Sequence, residues 1–139
     1  MPPAFGSLEE ARAEVSAARD RLRYALAGTG LGVWDWDLIA GEVWYSPDAY
    51  EMLGYVAEDA DGVANFWRHL IHPDDVERAL QDQMEMVAGR TTEYHSEYRL
   101  RRKDGSWAWV EGTGRVVKRA DDGTALRAVG TARDVTDRV

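Results

Sequence analysis

Tyr98-Arg99-Leu100-Arg101-Arg102-Lys103-Asp104-Gly105-Ser106-Trp107-Ala108-Trp109-Val110 is the stretch that decides the fold. A run alternating apolar and basic residues meets a Trp/Ala/Val run across Asp104-Gly105. An Asp-Gly pair between two such runs is a strong hairpin signal, because the type I′ turn it favours needs positive φ. A second pair, Asp122-Gly123, lies further along. The two turns divide the C-terminal half into three strands: Thr92 to Lys103, Ser106 to Arg119 and Ala125 to Asp134.

Past the last strand the chain reads Arg133-Asp134-Val135-Thr136-Asp137-Arg138-Val139. An Asp and a Thr two residues apart, leaving a sheet, can anchor the exit and cap a following helix. The expectation is a module of a longer protein whose exit at Asp134 and Thr136 passes a state onward.

Upstream, Val33 to Leu38 is a strand that places Trp34 and Trp36 on one face and Asp35 and Asp37 on the other. Val43 to Ser46 follows as a second strand, and Ser46-Pro47-Asp48 opens a short helix to Leu53. Residues 56–62 are acidic and irregular, and Phe66 to Ile71 reads as a helical turn. A longer helix runs from about Asp75 to Ala88, with Val76, Leu80, Met84 and Val87 as its expected buried stripe. At the N-terminus Ser7 is placed to cap a helix, after a Pro/Gly-bearing lead-in. Leu8, Ala11, Val15, Ala18, Leu22 and Ala25 alternate steps of three and four, the seam of a coiled coil. The stripe is narrow and Ala-rich, thin for an intramolecular core face, so helix-mediated dimerisation is expected. Residues 1–29 form the lead-in and dimerisation helix, and residues 30–139 the folded domain.

Composition narrows the partners. The 139 residues suffice for one domain with an appendage. A net charge of −8, from 25 acidic against 17 basic residues, disfavours nucleic acid and anionic membrane surfaces. No run reaches the length of a membrane span, and the N-terminus lacks the apolar stretch of a signal peptide, so a cytoplasmic location is the expectation. With no cysteine, disulfides, thiol nucleophiles and Cys-ligated zinc are excluded.

In this order, six pieces resemble the PAS domains of bacterial sensor kinases and cyclic-di-GMP enzymes. They are Gly32-Val33-Trp34-Asp35-Trp36-Asp37-Leu38, Ser46-Pro47 with Leu53-Gly54-Tyr55, Ile71-His72-Pro73-Asp74-Asp75, the hairpin quoted first, Gly130, and Asp134-Val135-Thr136. The resemblance implies an α+β fold: a five-stranded antiparallel sheet of order 2-1-5-4-3, with helices on one face enclosing a pocket. It also implies the inward set: Trp34 and Trp36; Tyr94, Ser96, Tyr98 and Leu100; Ala108, Val110, Gly112 and Gly114; Ala128, Gly130 and Ala132. Large rings thus oppose small residues, and either the rings fill the space or a small-molecule ligand does.

Trp107 and Trp109 fall on the outward face, where the N-terminal helix or a second subunit would cover them; both are assigned to the dimer interface. Some relatives ligate haem through a histidine of the long helix, but Asp75 to Ala88 holds none, and covalent flavin needs a cysteine the chain lacks. The cofactor is left unassigned. Asp35 and Asp37 read as solvated or arginine-paired, and no metal is assigned to His69 and His72. No catalytic constellation stands out. The expected function is sensory or relay signalling as a homodimer, regulating a C-terminal output domain of histidine kinase type. The alternatives are a ligand-free dimerisation and relay scaffold, or a cone-shaped α+β enzyme.

Overall fold

The computed structural model describes residues 4–63 and 65–138; residues 1–3 of the lead-in, Ala64 and the terminal Val139 lie outside the described residues. The elements run α1 (Ala4–Leu26), β1 (Leu31–Asp37), β2 (Glu42–Tyr45), α2 (Pro47–Glu51), α3 (Phe66–His69), α4 (Val76–Val87), β3 (Tyr94–Arg101), β4 (Trp107–Arg119) and β5 (Ala125–Asp134). Short 3₁₀ turns occupy Ala57–Ala60 and Thr136–Arg138. The five strands form one antiparallel sheet of order β2-β1-β5-β4-β3. This is the α+β architecture and strand order that the family resemblance implies.

Both Asp-Gly hairpins form, with a turn chemistry other than type I′. Gly105 and Gly123 each have φ of +90°, whereas Asn65 is the non-glycine with positive φ among the described residues. The loops are therefore one residue longer: Arg102 N–H donates to Ser106 O at 2.8 Å, and Gly105 N–H donates back to Arg102 O at 2.9 Å. Ala120, Gly123 and Thr124 repeat the pattern. A single left-handed glycine after an ordinary turn is the three-residue loop with a bulge, which spares the aspartate a positive φ. Each aspartate side chain then closes its own turn, accepting from Ser106 N–H at 2.9 Å and from Thr124 N–H at 3.0 Å.

Two further expectations change. Helix α1 begins before Ser7, so that residue lies inside the helix and not at its cap position. Helix α4 is rotated from the expected stripe: Ala79 and Met86 are buried, while Met84 is 52% exposed. Apolar residues span a wide arc of this helix, so several rotations bury similar area. The one adopted seats Met86 against Trp34, Tyr94 and Ala128.

The core lies between the sheet and α2–α4. Leu53, Met86, Leu100 and Val110 are fully enclosed. Asp75, at the start of α4, is the polar tether that seats the helix: it accepts from Arg99 N–H at 2.8 Å and from the Arg99 guanidinium at 2.9 Å through each oxygen. Among the described residues no helix is long and apolar enough to cross a membrane.

Candidate functional site

The inner face of the sheet gathers nearly all of the residues expected there. Trp34, Tyr94, Ser96, Tyr98, Leu100, Ala108, Val110, Gly112, Ala128 and Ala132 are buried, and Trp36, Gly114 and Gly130 are half-buried. Register explains the grouping: Gly114 pairs with Gly130 and with Tyr94, and Gly130 pairs with Trp34. The rings lie over the glycines. A Cβ added at Gly114 or Gly130 would collide with the Trp34 indole, and one at Gly112 would stand 3.2 Å from the Tyr98 hydroxyl and 3.3 Å from the Tyr94 ring. Trp34 meets Tyr94 edge-on at 6.3 Å and donates from Nε1 to Thr131 O at 3.2 Å.

Three aromatic contributors come from short elements where sequence carries little periodicity. Tyr45 stacks on Trp67 with ring centroids 4.6 Å apart, and Tyr50 meets Tyr45 edge-on. Burial pushes the phenols of Tyr45, Tyr94 and Tyr98 up from their ordinary pKa, so they stay neutral hydroxyls. Ser96 sits between Tyr94 and Tyr98 on β3. Its Oγ is buried with no well-formed hydrogen bond among the described residues, although the Tyr94 hydroxyl is near enough to interact with it. A buried hydroxyl left unsatisfied costs roughly 1–3 kcal/mol.

The exit forms a latch. Asp134 Oδ1 accepts from the backbone N–H of Thr136 at 3.0 Å and from its hydroxyl at 2.5 Å. Arg102, on the β3–β4 hairpin, reaches across to Asp134 at 2.5 Å and to Thr136 Oγ1 at 3.2 Å. Trp109 N–H donates to Thr136 Oγ1 at 3.1 Å, and Val135 N–H to Trp109 O at 2.8 Å. Burial works against the Asp134 charge, but hydrogen bonds from Thr136 and Arg102 outweigh it and hold the carboxyl below the usual range. Sequence reasoning does not single out Arg102 at this place, because it lies 32 residues from Asp134 along the chain.

Residues 42–132 match the family described as PAS fold. This chain belongs to the PAS family. In a sensory box histidine kinase/response regulator from Burkholderia thailandensis E264, 85% of this chain superposes on 86% of that chain, with 31% identity and a TM-score of 0.71. The N-terminal domain of a diguanylate cyclase with a PAS/PAC sensor from Marinobacter aquaeolei shares the fold at 19% identity and TM-score 0.66, covering 78% of this chain and 97% of that one. An uncharacterized protein, y4lL, from Sinorhizobium fredii (strain NBRC 101917 / NGR234) is 32% identical over 100 residues. That match takes in 71% of this chain but 12% of the relative's own length. The chain is thus a PAS domain similar to that of the sensory box histidine kinase/response regulator, and it shares its fold with the diguanylate cyclase domain.

On the outer face of this PAS domain, α1 lies beside β1 and β2 and not over Trp107 and Trp109. Arg19 places its guanidinium 4.6 Å from the Trp44 ring centre and 3.8 Å from Asp35, which also pairs with Arg127. Trp107 packs on His72 at 4.5 Å, and Trp109 lies under Arg99 at 5.1 Å. His69 is exposed and His72 is turned to Trp107, so these two histidines do not converge. His95, Glu97 and Glu111 do, with one ligand atom each within 4.8 Å of the others. Glu111 is there already engaged by His95 at 3.1 Å and by Arg133 at 3.1 Å. The seam residues Leu8, Ala11, Val15, Ala18, Leu22 and Ala25 are all exposed.

Proposed function

We propose that this PAS domain acts as a dimeric relay in bacterial signal transduction, regulating a C-terminal output domain of histidine kinase type in the cytoplasm. The latch carries the reading. Arg102 ties the end of β5 to the β3–β4 hairpin through Asp134 and Thr136, so a displacement of β5 loads that tie on its way to the exit. Trp34, Tyr94 and Tyr98 rest on the glycines of β4 and β5, and a change in their packing shifts the two strands together. A differential interaction of a few kcal/mol between two packings suffices to switch such an element. Dimer contacts run through the exposed seam of α1, with Trp107 and Trp109 as a second outward patch.

Two readings of the input follow from the interior. The close fit of the rings on Gly112, Gly114 and Gly130 supports a filled core that relays a twist from α1. The poorly satisfied Ser96 Oγ supports the second, a small molecule with one polar group lodged among Tyr94, Ser96 and Tyr98. Asp134→Ala and Thr136→Ala in the full-length parent, assayed for autophosphorylation under stimulus, should uncouple input from output. Regulation that survives both substitutions would sink the relay.

A further inference from the structure

We infer that His95, Glu97 and Glu111, on the outer face of the sheet, form a binding site for one divalent transition-metal ion of the Zn2+ class. The site lies on the far side of the sheet from the aromatic interior, and it stands or falls apart from the relay reading.

Strand pairing brings the three side chains together. His95 and Glu97 are two residues apart on β3, so both project from the face opposite Tyr94, Ser96 and Tyr98. Glu97 pairs directly with Glu111 of β4, and Glu111 with Arg133 of β5. One ligand atom from each of His95, Glu97 and Glu111 lies within 4.8 Å of the other two. An ion held at about 2.1 Å by nitrogen and carboxylate oxygen needs ligand atoms about 3.0 to 3.5 Å apart. His95 Nε2 and Glu111 Oε2 already stand at 3.1 Å. A small rotation of the Glu97 side chain completes the set, on a backbone that the β3–β4 ladder holds in place.

Charge argues the same way. Two carboxylates directly opposite each other on neighbouring strands repel. The half-buried Glu97 carboxylate has no hydrogen bond or ion pair among the described residues to offset that repulsion. Arg133 donates to Oε1 of Glu111 at 3.1 Å, which orients the carboxylate with Oε2 toward His95. An outer partner of this kind is what fixes a ligating carboxylate. One imidazole with two carboxylates suits Zn2+ and its first-row neighbours better than Ca2+ or Mg2+, which favour all-oxygen sites. The bound ion ties β3 to β4 and, through Arg133, reaches β5 one residue before Asp134.

Zn2+ itself is the probe. The 139-residue chain, stripped with chelator, is titrated with ZnCl2 by calorimetry, beside thermal unfolding and long-range proton–nitrogen spectra of its three imidazoles. One ion should bind per chain, raise the thermal midpoint and shift the His95 Nε2 resonance alone. His95→Ala and Glu97→Gln should each weaken binding by roughly tenfold or more, while His69→Ala leaves it unchanged. In chelator Glu97→Gln should unfold no earlier than wild type, because it removes a like-charge pair. Its lost affinity is then lost ligation and not lost folding. A His95 resonance and a thermal midpoint that both stay fixed in excess Zn2+ overturn the site. Binding that survives His95→Ala, or that moves His69 or His72 instead, means an adventitious ion only and overturns the assignment.

Discussion

Asp75 joins the first turn of α4 to β3, and replacing it with Asn probes how far its charge seats that helix over the aromatic interior. The residue is 5% exposed, and its carboxylate accepts three hydrogen bonds from Arg99. These bonds, with the guanidinium charge, overcome burial and bring the carboxyl from 3.8 down to about 2. A depression of that size corresponds to roughly 2 kcal/mol of stability. Its sign is set by linkage: the folded state binds the proton less readily than the unfolded chain. The stabilisation is thus complete above the unfolded value near 4 and is lost as pH falls toward 2. Urea denaturation of the wild-type chain and Asp75→Asn, followed by tryptophan fluorescence, measures it. At pH 7 the wild type should exceed the variant by about 2 kcal/mol, and by pH 3 about half of that gap should remain. A gap that stays constant from pH 7 to pH 3 would refute the reasoning, since it would assign the effect to shape and neutral hydrogen bonds.

Gly130→Ala places a Cβ against the Trp34 indole and Thr113 O, so it should cost roughly 2 kcal/mol or more in chemical denaturation. An unchanged midpoint would mean that the indole does not occupy that space. Ser96→Ala removes a buried hydroxyl with no well-formed hydrogen bond and should raise stability by roughly 1 kcal/mol in the purified domain. A loss of stability would instead mean that Oγ is satisfied, and the same substitution in a Tyr94→Phe background separates the Tyr94 hydroxyl from a bound molecule as its partner.

The meander was legible because its signals are local. Alternation and Asp-Gly pairs mark strands and turns within a few residues, and β5 occupies Ala125–Asp134 as read. The turn type was not legible: two hairpin classes accept Asp-Gly, and the backbone of Asp104 and Asp122 selects between them. The inward set followed once the family resemblance placed the faces, since alternation along β3, β4 and β5 carries one assignment through each strand. Tyr45, Trp67 and the rotation of α4 escaped. The first two sit in elements too short for a period, and the third depends on which neighbours fill the space below Ala79 and Met86. Arg99 and Arg102 read as a basic patch; Asp75 and Asp134 claim them from 24 and 32 residues away.

By itself the sequence determined the strands, the alternation along each of them, the Asp-Gly turns and the apolar seam of α1, because hydrogen-bonding period, turn preference and side-chain polarity act over a few residues. Only the tertiary structure decided that Trp34, Tyr94 and Tyr98 close over the glycines of β4 and β5, that Arg102 latches Asp134, and that Arg19 bridges α1 to the sheet. Those outcomes depend on filling a shared volume and on pairing charges across long sequence separations, and no single segment carries that information.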